Sequence, residues 1–128
     1  AGAKLDIHES IMTTGEQNAV SNFTADLNGE DCSCNIVSRA VARDKSRQHF
    51  TSRLNGNNVC SGHSECDSIM MDQAYVLATP ELAASCTDAS LIHEAAIGKI
   101  AGEQLMKLMT LGLTEQEAEE QIISGFLR

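Results

Sequence analysis

Between residues 4 and 96, short segments with one apolar face keep alternating with polar turns, and this recurrence constrains the fold more than any other feature of the chain. Leu5-Asp6-Ile7-His8 alternates apolar and polar residues, as a strand with one buried face requires, and Val20 to Leu27 does so less regularly. Cys32 to Ile36, His49 to Leu54, Glu65 to Met71, Tyr75 to Ala78 and Ala89 to Ile92 are further strand candidates. Between them lie Asn28-Gly29-Glu30-Asp31, Arg43-Asp44-Lys45-Ser46, Asn55-Gly56-Asn57-Asn58 and Asp72-Gln73, residue types that favour turns. Setting the segments beneath one another gives a loose repeat, with Val20, Cys34, Phe50 and Cys66 at separations of 14, 16 and 16 residues. Regular short strands suit an antiparallel sandwich or a parallel solenoid of stacked coils, and periodicity does not choose between them. On base rates the sandwich has the higher prior.

Composition narrows what such a body can contain. The chain has 128 residues, the size of one domain. Aromatics make up 3% of it, with no Trp, so the core must be built from Ile, Leu, Val, Met and Ala. Acidic residues outnumber basic ones by 18 to 9, giving a formal charge of −9, which disfavours a nucleic-acid binder. No run of apolar residues is long enough for a membrane span, and Ala1 to Ile11 lacks the pattern of a signal peptide, so a cytoplasmic location is expected. The absence of an initial Met suggests an excised fragment. Five cysteines, Cys32, Cys34, Cys60, Cys66 and Cys86, cannot all pair, which favours reduced thiols, mostly buried as small hydrophobes.

At Ile97 the period changes. Ile97, Ala101, Leu105, Leu108 and Gly112 recur at helical spacing and predict a helix of about three turns ending near Gly112. Thr114 then reads as the N-cap of a second helix, with Glu117 as its capping-box partner and Ala118, Ile122 and Phe126 as the apolar stripe. A helix-turn-helix DNA reader is disfavoured on charge, because the would-be recognition helix carries four Glu and no basic residue before Arg128. Five of the nine basic residues are Arg39, Arg43, Lys45, Arg47 and Arg53, whereas Gly102 to Arg128 is acidic. Solvated faces account for both most simply.

Three groups of residues invite a chemical reading. Cys60, His63 and Cys66 have the look of a metal knot, but in extended chain an odd separation sends His63 and Cys66 to opposite faces, and structural zinc sites need four ligands. Cys32 and Cys34 share a strand face, where core packing is the simpler account. His93-Glu94 follows an apolar pair just before the strand pattern gives way to helix, at the end of a sheet where sites are built; an exposed surface pair is the plainer alternative. Glu65 and Asp67 flank Cys66 and should disfavour its thiolate unless a metal supplies positive charge, which argues against a cysteine nucleophile. Neither a Gly-x-Ser-x-Gly elbow nor a phosphate-binding Gly loop is present.

Four separated stretches then converge. Ile36-Val37-Ser38-Arg39-Ala40-Val41-Ala42, Glu65-Cys66-Asp67-Ser68-Ile69-Met70-Met71-Asp72, His93-Glu94-Ala95-Ala96-Ile97-Gly98-Lys99-Ile100, and Leu111 to Ala118 with Gly125-Phe126 resemble, in order, the carboxy-terminal part of the SufB/SufD family of iron–sulfur cluster assembly scaffolds. The resemblance implies a mainly β fold, a right-handed parallel β-helix over residues 1–96 followed by a C-terminal helical hairpin over 97–128, and so displaces the sandwich. It implies a non-catalytic scaffold that carries a transient iron–sulfur cluster at a subunit interface, with Cys66, His93 and Glu94 as ligands. A SufC-like ATPase would dock on the C-terminal helices, and a second SufB- or SufD-like subunit on the β-helix. A homodimer through the coils from Glu65 to Ile92 is the form expected of this chain, itself a carboxy-terminal fragment.

Thiolate with imidazole and carboxylate suits a cluster that must be handed on, since four thiolates would hold it too firmly. The alternative is a SufD-like structural partner in which Cys66 merely packs. This chain also departs from the family pattern. Met106-Lys107 stands where aromatic residues are usual, Leu111 where an Arg commonly precedes the Gly, and Ala101-Gly102 replaces the usual polar cap, so the first helix should start weakly.

Overall fold

The computed structural model describes residues 1–128. Seven strands come first, β1 (Lys4–Thr13), β2 (Asn18–Leu27), β3 (Cys32–Ala42), β4 (Arg47–Gly56), β5 (Cys60–Met70), β6 (Tyr75–Ala84) and β7 (Ala89–Gly98). Two helices follow, α1 (Gly102–Thr110) and α2 (Glu115–Phe126). Odd strands form one sheet in the order β1-β3-β5-β7 and even strands a second in the order β2-β4-β6. Every pairing is parallel, so the body is a β-solenoid of about three turns and not the antiparallel sandwich that base rates favoured. Each polar turn carries the chain across to the other sheet instead of folding it back beside its own strand. No helix of the chain is long and apolar enough to cross a membrane.

The loose repeat seen in the sequence is half a coil. Neighbouring strands of one sheet pair residues 28 or 29 apart, as in Asp6 with Asn35 and Arg53 with Glu81. Cys34 therefore lies beside Gly62, not Cys66, which sits four residues further along β5. Turns stack as faithfully as strands. Gly15, Asp44 and Asp72 occupy the same corner of successive coils with φ of 59°, 59° and 57°. Asp tolerates this left-handed conformation because its side chain bonds nearby backbone. Here the bond runs to the previous coil: Gly15 N–H donates to Asp44 Oδ2 at 2.8 Å, and Asp44 N–H to Asp72 Oδ2 at 3.1 Å.

Alternation along each strand sends every second residue into the narrow space between the sheets. Leu27, Cys32, Cys34, Ile36, Phe50, Leu54, Cys60 and Cys66 form the apolar core, with Phe23 packed against Phe50 at 5.9 Å between ring centroids. Cysteines serve as small hydrophobes, as expected: four are buried, Cys86 is half-buried, and all five are free thiols. Polar side chains in the interior satisfy one another. Thr13 and Ser46 hydroxyls meet at 2.8 Å, Ser52 and Ser64 at 2.8 Å, and Gln48 Nε2 donates to Thr13 Oγ1 and to the Val41 carbonyl. A buried hydroxyl without such a partner would cost about 1–3 kcal/mol.

The helices depart from expectation at one end and match it at the other. Ile97 belongs to β7, which runs to Gly98 because β5 offers it ladder partners as far as Ile69, so α1 begins only at Gly102 and has 9 residues. The expected boundary between residues 96 and 97 thus falls inside the last strand. Ala101 provides no side-chain cap for α1, the weak start that Ala101-Gly102 implied. In α2, Thr114 and Glu117 make the reciprocal capping box. Its buried residues are Ala118 and Ile123, while Ile122 and Phe126 are half-buried and face a groove instead of a closed core. Polar contacts tie the end of the chain to the outer face of the first sheet: Arg43 to Glu120 at 2.9 Å, Arg39 to the Arg128 carbonyl at 2.7 Å and Ser10 to the Leu127 carbonyl at 2.9 Å. Val37 and Val41, outward-facing on β3, are buried on that same face.

Candidate functional site

Cys66, His93 and Glu94 sit on β5 and β7, which are neighbours in the first sheet. The register places Ser64 beside His93, Glu65 beside Glu94 and Cys66 beside Ala95. Ser64, Cys66 and Ser68 point inward and are buried, whereas His63, Glu65 and Asp67 alternate with them on the outer face. His93 continues the inward row, its Nδ1 2.9 Å from Ser64 Oγ, which in turn meets Ser52 Oγ at 2.8 Å. The other ring nitrogen, Nε2, is buried and has no hydrogen-bond partner. β7 is the last strand of its sheet and β6 the last of the other, so no strand of the second sheet stands opposite His93 in a further half-coil.

Burial governs the chemistry of this inner row. Cys66 is 1% exposed, and burial pushes its thiol above its ordinary value; the Ser68 hydroxyl at 3.7 Å opposes this, and the charges of Asp67 and Glu9 reinforce it. Burial also holds His93 below the usual imidazole range, as does the nearby His63, against a smaller pull from Glu94. Both groups are therefore neutral near pH 7: a thiol and an imidazole, not a thiolate and an imidazolium.

On the outer face a different set gathers. His63, Glu65 and Glu94 each bring one ligand atom within 4.8 Å of the others. His63 Nε2 is 3.4 Å from Glu94 Oε2, and His63 Nδ1 is 2.6 Å from Asn35 Oδ1. The two carboxylates are lateral neighbours in the ladder and respond in opposite directions. Burial, Asp67 and the bond to Glu94 raise Glu65, while bonds from His63 and Glu65 hold Glu94 low.

Comparison with known proteins adds the family. The family model described as "SUF system FeS cluster assembly, SufBD core domain" matches residues 1–126. The chain belongs to the SufBD family. An iron–sulfur cluster assembly SufBD family protein of Methanothermobacter thermautotrophicus is 43% identical over 103 residues, covering 79% of this chain and 25% of the relative. SufBD family proteins of Methanocaldococcus jannaschii and Pyrococcus horikoshii are 36% and 34% identical, over 98% and 96% of this chain and 40% and 38% of theirs. The chain thus spans between a quarter and two fifths of the length of these curated relatives.

Within this SufBD core domain the three residues singled out from the sequence do not form one cluster. Cys66 and His93 share the interior, two residues offset in the ladder, and Glu94 points the other way because it follows His93 in a strand. The Cys60, His63, Cys66 knot is likewise divided, with both cysteines inward and His63 outward, as strand alternation requires. Sequence reasoning missed the grouping of His63 and Glu65 with Glu94. The signal existed, in the i, i+2 spacing of His63 and Glu65 and the 29-residue offset of Glu65 and Glu94, but it is readable only once the coil length is known. Further along the same face a groove of about 810 Å³ opens between the ends of β5 and β7 and the two helices, lined by Asp67, Ile69, Ile97, Leu108, Ile122 and Phe126.

Proposed function

We propose that this SufBD core domain is the scaffold type, on which a labile iron–sulfur cluster is assembled at a subunit interface before transfer, with Cys66, His93 and Glu94 contributing ligands. The cluster is cargo and not a resident cofactor. The reading is carried by His93, whose buried Nε2 lacks a partner on the same inner face as Cys66 and at the uncovered end of the solenoid. A nitrogen lone pair and a nearby thiol are the donors a mixed-ligand cluster uses. Iron would also overcome the burial that keeps Cys66 protonated, since a coordinated thiol loses its proton. Because Glu94 faces outward, one chain cannot bring all three to a single iron, so the reading requires a second subunit.

The free edges of β6 and β7 and the exposed Leu82, Ile92 and Ile97 favour such a subunit, another copy of this chain or a SufD-like partner. A SufC-like ATPase supplies the hydrolysis in this scheme and docks on α1 and α2, leaving the SufBD subunit without catalysis of its own. Anaerobic reconstitution with iron and sulfide tests the ligand set. The cluster's visible absorption is expected to fall in Cys66→Ala and His93→Ala; undiminished absorption in both would remove them as ligands. Light scattering should detect a dimer that Ile92→Lys dissociates, and a monomer at all concentrations would count against the interface.

A second reading has its own observation. Cys66 is fully buried in the core, and this favours a SufD-like structural subunit in which the thiol packs. In that case Cys66→Ala leaves cluster content unchanged and lowers stability alone.

A further inference from the structure

The geometry points to a second site, which shares Glu94 with the proposed cluster ligands: His63, Glu65 and Glu94 on the outer face of the first sheet form a three-ligand site for one divalent first-row cation of the ferrous class. It needs neither the Cys66 thiol nor a partner subunit, and so stands or falls apart from the cluster reading.

Stacking in the solenoid creates the site. Glu65 and Glu94 are direct ladder neighbours, where like charges repel. His63 lies two residues before Glu65 and thus on the same face. His63 is 34% exposed at its side chain and Glu94 59%, so an ion has access from solvent.

The orientation of His63 separates this trio from an ordinary acidic surface. Asn35, one coil below, donates through Nδ2 to Asp6 Oδ1 at 2.9 Å, which turns its own Oδ1 toward His63. His63 Nδ1–H then donates to Asn35 at 2.6 Å, which turns Nε2 toward Glu94 Oε2 at 3.4 Å. A metal ion there would take the place of the proton that otherwise joins His63 Nε2 to Glu94 Oε2. That distance also suits a metal, because two ligands held at about 2.1 Å from a tetrahedral ion are about 3.4 Å from each other. Fixing one imidazole nitrogen through an outer hydrogen bond so that the other is free to ligate is how histidine ligands are commonly held.

Donor chemistry names the class of ion. One imidazole and two carboxylates, without thiolate, suit Fe2+, Mn2+, Co2+ or Zn2+ better than the all-oxygen preferences of Ca2+ and Mg2+. Two carboxylates neutralise the dication, and three protein ligands leave coordination positions open, so the ion exchanges readily.

Titration of the chain with Co2+, followed by visible d–d absorption and calorimetry, tests the proposal. One equivalent is expected to bind without thiolate-to-metal charge transfer. Cys66→Ser should bind as the wild type does. Affinity should fall at least ~10-fold in His63→Ala, Glu65→Gln and Glu94→Gln, and about 10- to 100-fold in Asn35→Ala, whose side chain never touches the ion. Circular dichroism confirms that each variant is folded. The proposal is overturned if the wild type binds no Co2+, in which case a proton bridges His63 and Glu94, or if binding survives His63→Ala and is lost in Cys66→Ser. Loss of cluster reconstitution in Cys66→Ala has no bearing on this result, so the two readings fail independently.

Discussion

Cys66 and Glu94 lie on opposite faces of the same sheet, although their strands are hydrogen-bonded neighbours: Cys66 is sealed in the solenoid and Glu94 is exposed beside His63. Two kinds of donor are thereby kept apart, sulfur and a buried imidazole within, oxygen and an accessible imidazole without. The inner side is closed around Cys66, whereas the outer side is open to solvent at His63 and Glu94.

Thiol reactivity should follow this division. Burial raises the Cys66 and Cys34 thiols, so both remain protonated and unreactive at about pH 8. Alkylation of the native chain, mapped by mass spectrometry, is expected at Cys86 first and at Cys34 and Cys66 last. Equal labelling of Cys66 and Cys86 would refute the burial account. Because a raised thiol favours the protonated folded state, that contribution is present below the unfolded thiol's value near about 8.5 and is lost as pH climbs through the higher folded value. Melting temperature should accordingly decline on the alkaline side, less steeply in Cys66→Ala.

Gly56→Ala should destabilise the coil stack. A Cβ at Gly56 would come within 2.9 Å of Ala89 Cβ, an atom that cannot move without its backbone. Overpacking of this kind costs about 1–3 kcal/mol, read as a lower urea midpoint. Ala89→Gly in the same chain should recover part of the loss, and no recovery would mean that the clash lies elsewhere.

Arg43 and Glu120 join the basic coil region to the acidic last helix. Arg43→Ala and Glu120→Ala in a double-mutant cycle should give a coupling of about 0.2–1 kcal/mol, small because the Glu120 side chain is 53% exposed. The coupling should shrink in high salt; a salt-independent value would show that packing of the Arg stem, not charge, holds α2.

Thr114→Ala removes the side-chain half of the capping box and should cost about 1 kcal/mol, with Thr114→Ser restoring most of it. Ala101→Ser tests the converse at α1, which has no cap bond, and should stabilise that helix. Unaltered helicity in Ala101→Ser would indicate that tertiary contacts alone set the start of α1.

Part of each of the seven strands, and the turns that hold Asp31, Asp44 and Asp72, were readable in the sequence, because alternation and left-handed turn residues are local properties of a few adjacent positions. The same is true of the Thr114 cap and of the opposite facings of His63 and Cys66, which follow from a period of two. The pairing of strands was not readable, since a half-coil of 14 or so residues fits a hairpin as well as a coil and parallel stacking is a long-range outcome. The end of β7 was misjudged for a related reason: Ile97 fits a helical period, and only the ladder partners offered by β5 keep it extended.

What the sequence alone determined, then, is which residues face in and which face out along each strand. What only the tertiary structure decided is which strands are neighbours, and with that the partition of Cys66 and His93 from His63, Glu65 and Glu94. The cause is physical: facing is set by the geometry of one strand, but company across 28 or 29 residues is set by the backbone hydrogen bonds between coils.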